Sequence, residues 1–312
     1  MLNKKGEESI NTKIKQIPEL SNFRDIFQIK KGFSSDEKYV IHTNENHKLF
    51  LRIFNQEDLG SKKKEYYILE KMRDLNVHCS RPVSINEMEN WGYLITTYLE
   101  GKDAEDEIPK HTINEQFNIG FEAGKELRKI HQYAAPNNIS SWYLRKVKKH
   151  NKYMKDYLAC GVQIKDDQKI INFIENNIHL MKHRPNLFQH DDFHPANIIV
   201  NNKKFAGVID FNRFDWGDPY HEFLKIGIFN REVSVPYSIG QIRGYFNNED
   251  PDEYFWRLYS LYLAMCVFST VIWSLKNVPD SLNDMLEKVY LFLDDHDYFN
   301  QIKPKWYESW GT

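Results

Sequence analysis

The chain has 312 residues, 41% of them hydrophobic and 28% charged, with 14 Gly and 11 Pro, which is globular composition and excludes a disordered, collagen-like or low-complexity chain. Its length predicts two domains or one large domain with two lobes. A net charge of −2 leaves no basic excess that would make nucleic acid the main partner.

The start, MLNKKGEESINTKIKQ, is polar and has no apolar stretch of the signal-peptide kind. Residues 27–31 and 38–43 read as strands joined by the turn Gly32-Phe33-Ser34-Ser35-Asp36-Glu37. Residues 48–54 (KLFLRIF) alternate apolar positions as a third strand, and 61–75 follow with helical spacing at Tyr66, Leu69, Met72 and Arg73. Strands at 81–86 and 92–99 close this section. Glu100-Gly101-Lys102-Asp103 breaks the pattern and AEDEIPKH reads as loop, which places a hinge at about 96–103. Beyond it the pattern turns helical at 114–133, 142–159, 166–182, 238–246, 252–276 and 281–294. Within this helical part, 197–200 and 205–209 are short apolar runs flanking Asn201-Asn202-Lys203-Lys204, the pattern of a hairpin. Between Arg257 and Lys276 lie 18 uncharged residues. They include three Ser, one Thr and two Tyr, and no second such stretch exists, so the spacing predicts a buried core helix and no membrane span. Cys79, Cys160 and Cys266 form no CxxC pair; so sparse a set offers no zinc knuckle and fits a reducing cytosol.

The chemistry concentrates in residues 190–219, HDDFHPANIIVNNKKFAGVIDFNRFDWGDP. Four residues separate Asp192 from Asn197, and Asp210 ends the second strand of the predicted hairpin. Phosphoryl transfer uses such a set: one carboxylate orients the attacking hydroxyl and accepts its proton, while a carboxamide and a second carboxylate hold Mg²⁺ against the phosphates. The hairpin would bring Asn197 and Asp210 to one side, near one ion. The plainer alternative is a capped turn and a buried hairpin with solvated carboxylates. His190 and His194 have a zinc-like spacing, but Pro195 opposes the helix that such a pair would need.

The segments HDDFHPAN, VIDF and WGDP together resemble the hallmark of the aminoglycoside phosphotransferase family, which shares the protein-kinase-like fold with choline kinases. The resemblance implies an α+β, two-lobed fold. Residues 1–99 would form a small antiparallel-sheet lobe that binds nucleotide. Residues 100–312 would form a mostly helical lobe with the catalytic loop and the acceptor site. It implies Asp192 as catalytic base, and Asn197 and Asp210 as Mg²⁺ ligands, with ATP or GTP as co-substrate. Gly32, Ser34 and Ser35 would lie in the turn that covers the phosphates, where protein kinases carry three glycines. Arg52 stands for the phosphate-binding cation, as a fork of donors rather than a lysine point charge. Its carboxylate partner would be Glu65, with Glu70 the other candidate. The hinge backbone, including Thr97 and Leu99, would read the purine edge. His190, His131 and Asp218 would be structural. One residue departs from the hallmark: Asp191 replaces the usual glycine, and its charge either raises the pKa of Asp192 or simply points to solvent.

For the acceptor, residues 239–312 carry 11 acidic and 6 basic side chains, clustered at Glu249-Asp250-Asp252-Glu253 and Asp294-Asp295-Asp297. Such a rim would attract a cationic acceptor of the aminoglycoside type, or it is an ordinary solvated acidic surface. The alternatives are a metabolic kinase of choline, a sugar or an amino alcohol, and a non-catalytic kinase-like binding module, which the presence of all three motif residues disfavours. The expected partners are a nucleoside triphosphate and a small acceptor, without nucleic acid or membrane, in a cytoplasmic monomer or weak dimer.

Overall fold

Period-two alternation builds the first sheet. Phe23–Ile29 (β1), Glu37–Thr43 (β2), Lys48–Asn55 (β3), Pro82–Glu87 (β4) and Trp91–Thr97 (β5) pair antiparallel in the order β1-β2-β3-β5-β4. Tyr39, Ile41, Leu51, Ile53, Tyr93 and Ile95 point to one face and bury against Ile14, Ile17 and Leu20, as alternate residues of a pleated strand must. The helix Leu59–Asp74 (α1) joins β3 to β4 and buries Lys62, Glu65, Ile68, Leu69 and Met72. That spacing is one helical face, with two charged side chains on it. The computed structural model describes residues 12–31 and 34–310. Its backbone divides into two compact units, 1–74 with 79–99, and 75–78 with 100–312.

The second unit is mostly helical. A two-residue strand, Lys102–Asp103 (β6), leads into Ala104–Glu107 (α2), Ile113–Ile130 (α3), Trp142–Ala159 (α4) and Asp167–Asn177 (α5). Leu187–Gln189 (β7), Ile198–Asn201 (β8), Lys204–Val208 (β9) and Asp215–Gly217 (β10) follow. Arg231–Val233 (α6), Val235–Tyr245 (α7), Glu253–Asn277 (α8), Leu282–Asp295 (α9) and Lys305–Glu308 (α10) complete it. β8 and β9 form the expected hairpin, its turn carried by left-handed Asn202 and Lys203. β6 adds to the β8 edge and β10 pairs with β7, two short ladders that the sequence pattern does not signal.

Several boundaries differ from expectation; the helix expected at 238–246, for example, spans Val235–Tyr245. Residues 104–110 are helical, not loop, because Ala104 and Ile108 are fully buried and pull the segment inward. The first strand starts at Phe23, not at residue 27. β9 ends at Val208, so Asp210 lies just past the strand. The apolar α8 is long enough to cross a membrane, but 78% of its apolar window is buried within the unit. Trp256 and Tyr262 are buried in its core, whereas Trp273 is largely exposed. α3 and α7 approach backbone to backbone: a Cβ at Gly120, Gly124, Gly240 or Gly244 would collide with a main-chain carbonyl of the other helix.

Candidate active site

In the second unit, buried hydrogen bonds fix the loop that carries Asp192. His190 is fully buried; its backbone N–H donates to Glu222 Oε2 (2.9 Å), and its Nε2 lies 2.9 Å from the Ile209 carbonyl. Glu222 Oε2 also meets Nε2 of His131 at 3.1 Å, and His131 Nδ1 meets the Tyr245 hydroxyl at 3.0 Å. Behind the loop, Asp218 is fully buried and takes both ends of the Arg184 fork at 2.7 and 2.8 Å, the Tyr262 hydroxyl at 2.6 Å and the Tyr220 N–H at 3.0 Å. Ile209 N–H donates to the Asn197 carbonyl at 3.0 Å. The hairpin ladder therefore runs one step past Val208 and sets Asn197 beside Asp210.

Asp191 and Asp210 both adopt left-handed backbone, with φ of 62° and 68°. Aspartate is among the few residues enriched there, which explains how it stands in the glycine position. The expectation that the Asp191 side chain points to solvent is not met. Burial, then the charges of Glu222 and Asp215, push its carboxyl up to about 6 against the pull of Lys225 and Lys149.

Asp192 is held from three sides. Its Oδ1 accepts from Lys225 Nζ at 2.9 Å and lies 3.2 Å from His194 Nε2. Asn197 Nδ2 donates to the Asp192 carbonyl at 2.9 Å and sits 3.4 Å from its Oδ2. Burial pushes the Asp192 carboxyl up, but the His194 hydrogen bond and the Lys225 charge outweigh it and hold the group well below the usual carboxylate range. The side chain stays 26% exposed, so a ligand can reach it.

These residues fit a hard divalent cation. The Asn197 amide nitrogen is committed to Asp192, which leaves Oδ1 as its free donor atom. The Asp210 carboxylate is exposed and makes no hydrogen bond or ion pair among the described residues. Two oxygen donors of this kind, completed by phosphate oxygens and water, suit Mg²⁺.

In the first unit, Arg52 and Glu65 come together. Arg52 Nη1 meets Glu65 Oε1 at 2.5 Å, with both side chains under a tenth exposed. Glu70 instead faces Arg73 at 4.0 Å on the outer side of α1. Two further charges, not recognised in the sequence, join them: Asp36 Oδ2 accepts from Arg52 Nε at 2.8 Å and from Lys62 Nζ at 2.5 Å. Ser34 and Ser35 are exposed, and Ser34 Oγ accepts the Asp36 N–H at 3.1 Å. Gly32 lies outside the described residues. Thr97 ends β5, and its Oγ1 accepts the Arg81 N–H at 2.8 Å, so this side chain fastens the strand end. Leu99, at the end of the unit, is half-buried past the last strand residue.

The acidic clusters near the C-terminus are largely engaged within the protein. Asp250 binds the Tyr307 hydroxyl (2.9 Å) and Arg243 (2.9 Å), and Asp252 caps α8 through the Phe255 N–H (2.8 Å). Glu253 pairs with Arg257, and the Arg231 fork holds Asp295 at 2.7 and 3.0 Å. Lys225 is the lysine that touches Asp192; elsewhere in the unit Lys146 Nζ lies 2.7 Å from His221 Nε2, and burial, then the charge of Lys149, push Lys146 down to about 8.

Comparison with known proteins fits this geometry. The model of the phosphotransferase enzyme family matches residues 25–258. No curated protein matches the sequence. Among solved structures, a thermostable mutant of aminoglycoside phosphotransferase APH(4)-Ia in ternary complex with AMP-PNP and hygromycin B is similar at TM-score 0.68 and 14% identity, covering 92% of this chain and 98% of that one. ADP-bound aminoglycoside phosphotransferase APH(2'')-Ib follows at TM-score 0.62 and 17% identity, covering 96% and 98%. The complex of gentamicin with APH(2'')-IIa is similar at TM-score 0.61 and 15% identity, covering 93% and 96%. The fold is the two-lobed, kinase-like α+β fold that the HDDFHPAN and VIDF segments imply. With the family model spanning both units, the chain belongs to the phosphotransferase enzyme family and is a phosphotransferase with an alcohol group as acceptor.

Proposed function

We propose that this enzyme moves the γ-phosphoryl group of ATP or GTP, with Mg²⁺, to a hydroxyl of a small cytoplasmic acceptor of the aminoglycoside type. The observation that carries the reading is the disposition of Asp192, Asn197 and Asp210: a held carboxylate next to two oxygen donors with free lone pairs. Asp192 takes the acceptor hydroxyl as a hydrogen-bond donor and points its oxygen at phosphorus. A bond from that oxygen to phosphorus forms as the bond from phosphorus to the bridging oxygen breaks, the nucleoside diphosphate leaves, and the hydroxyl proton passes to Asp192. A carboxyl held this low is a weak base, which suits a loose transition state in which the proton leaves late. Asn197 Oδ1 and Asp210 would hold Mg²⁺, which would neutralise charge on the nucleotide phosphates. In the first unit Arg52, fixed by Glu65, is the candidate phosphate-binding cation.

The aminoglycoside acceptor is supported by the likeness to structures that carry gentamicin or hygromycin B. A second reading, a metabolic kinase of choline, a sugar or an amino alcohol, is favoured by one observation: the acidic clusters are spent on caps and ion pairs, and Asp192 itself is paired with Lys225. Three separate free cysteines support the cytoplasmic setting. The test is a panel of gentamicin, streptomycin, hygromycin B, a macrolide, choline, methylthioribose and homoserine, with ATP or GTP and Mg²⁺, read as nucleoside diphosphate release. Release with the antibiotics alone supports the first reading and release with a metabolite supports the second. No release with any of them, with or without Mg²⁺, counts against both.

A further inference from the structure

We propose that Asp36 is a built-in stand-in for nucleotide phosphate, and that Lys62 is a second phosphate-binding residue beside Arg52. The inference rests on the kinase reading above and concerns how the nucleotide gains its cations. One oxygen of Asp36, Oδ2, accepts from Arg52 Nε at 2.8 Å, lies 2.7 Å from Arg52 Nη2, and accepts from Lys62 Nζ at 2.5 Å. A single anionic oxygen gripped by a guanidinium fork and an ammonium is the arrangement a phosphate oxygen seeks. Glu65 does not share this place: it holds the opposite branch, Nη1, from α1.

Two further facts single the cluster out. Lys62 is buried while its neighbours Lys63 and Lys64 are exposed. A lysine is drawn inward only for a partner, since an unpaired buried ammonium is costly, and its partner here is Asp36. The four charges also cancel: Arg52 and Lys62 against Asp36 and Glu65, with side chains 9, 10, 3 and 5% exposed. A phosphate added to this closed set would be an uncompensated buried anion, so it enters by displacing a carboxylate. Asp36 is the one to leave. It follows directly on the exposed Ser34-Ser35 turn, whereas Glu65 is fixed within a 16-residue helix. Burial pushes the Asp36 carboxyl up, but Arg52 and Lys62 hold it below its ordinary value, so the competitor is ionised at neutral pH. Asp36 thereby sets the affinity for phosphate-bearing nucleotides without touching the base or sugar.

Isothermal titration of the full chain with Mg·ADP, Mg·GDP and adenosine tests this. Asp36→Asn should lower the Kd of the accepted diphosphate about tenfold and leave adenosine unchanged. Lys62→Gln should raise the diphosphate Kd by a similar factor, again sparing adenosine. A diphosphate Kd that stays level or rises in Asp36→Asn overturns the proposal: the carboxylate is then scaffolding. Should Asp36→Asn fail to fold, Lys62→Gln decides, and an unchanged Kd overturns it. A wild-type chain that binds neither diphosphate sinks the kinase reading and this proposal together. A wild type that binds while both variants match it sinks this proposal alone.

Discussion

The charge cluster around Arg52 in the first unit and the one around Asp192 in the second are built differently. In the first unit Arg52, Lys62, Asp36 and Glu65 are all at most a tenth exposed and sum to zero. In the second, Asp192, Lys225 and His194 are 26, 18 and 17% exposed, and Asp210 nearby has no ion-pair partner among the described residues. Buried ions demand complete pairing, because a charge left alone in the interior costs several kcal/mol. Partly exposed ions can keep an open valence, since water fills it until a substrate does. The closed cluster is therefore a place where substitution first harms stability, and the open one a place where it first harms chemistry.

The sharpest test of that division removes the carboxylate of the open cluster. Asp192→Asn should lower kcat for an accepted substrate by about 10²–10⁴-fold, as read by nucleoside diphosphate release. Stability should stay within about 1 kcal/mol, because a partly exposed pair contributes little. A variant with near wild-type turnover would remove Asp192 from the reaction.

The converse test breaks the closed cluster. Arg52→Met leaves Asp36 and Glu65 buried with Lys62 as their one remaining cation. Urea denaturation should show a loss of about 3–5 kcal/mol, the cost of halving a buried pair. A loss below about 1 kcal/mol would show that water reaches the cluster and that the two regions are alike.

The contrast also explains what could be read in advance. The open cluster was legible because its residues sit close in sequence: Asp192 to Asn197 is one turn, and His190 reaches Ile209 across a short hairpin. The helices expected at 142–159 and 252–276 were legible in the sequence, whereas the backbone contact of α3 on α7 at Gly120, Gly124, Gly240 and Gly244 was not read there. The closed cluster was half hidden. Lys62, Lys63 and Lys64 look alike in the sequence, and which one turns inward depends on the register of β2 on β3, which sets Lys38 opposite Arg52 and brings Asp36 near. Lys225 was missed for a similar reason: its partner lies 33 residues back. Residues 104–110 look polar, and their helix is imposed by the burial of Ala104 and Ile108. The acidic residues near the C-terminus could be counted but not placed, because caps and forks such as Arg231 to Asp295 are long-range pairings.

A smaller effect is expected beside the open cluster. Asp191 carries a carboxyl raised to about 6 from an ordinary 3.8. A folded-state value above the unfolded one means that the folded chain binds the proton more tightly. The contribution is fully present below about 4 and is lost as pH rises through about 6. Asp191→Gly fits the left-handed backbone at φ 62° and deletes the strained charge. The variant should gain about 1–2 kcal/mol over the wild type at pH 7.5 and less at pH 4.5, measured as melting temperature across that range. A difference independent of pH would mean that the carboxyl is not raised.

The finest probe concerns Lys225, whose ammonium touches the Asp192 carboxylate at 2.9 Å from the second unit's own helical part. Here loss of a cation should behave unlike its loss in the closed cluster. Lys225→Met leaves Asp192 with His194 and solvent, so little stability is lost. It does remove one of the two influences that hold the carboxyl down against its burial. The Asp192 pKa then rises, and the sign follows: a group that must be ionised to accept the hydroxyl becomes protonated at higher pH. The acid limb of the kcat/KM profile should move up in Lys225→Met, with the loss confined to the acid end of the profile and under about twofold change near pH 8. In the Asp192→Asn background the same substitution should change nothing, since the carboxyl it acts on is gone. An unmoved acid limb would assign the depression of Asp192 to His194 alone. A loss equal at all pH values would instead make Lys225 a substrate contact, and the open valence of the second unit would then belong to a cation as well as to its carboxylates.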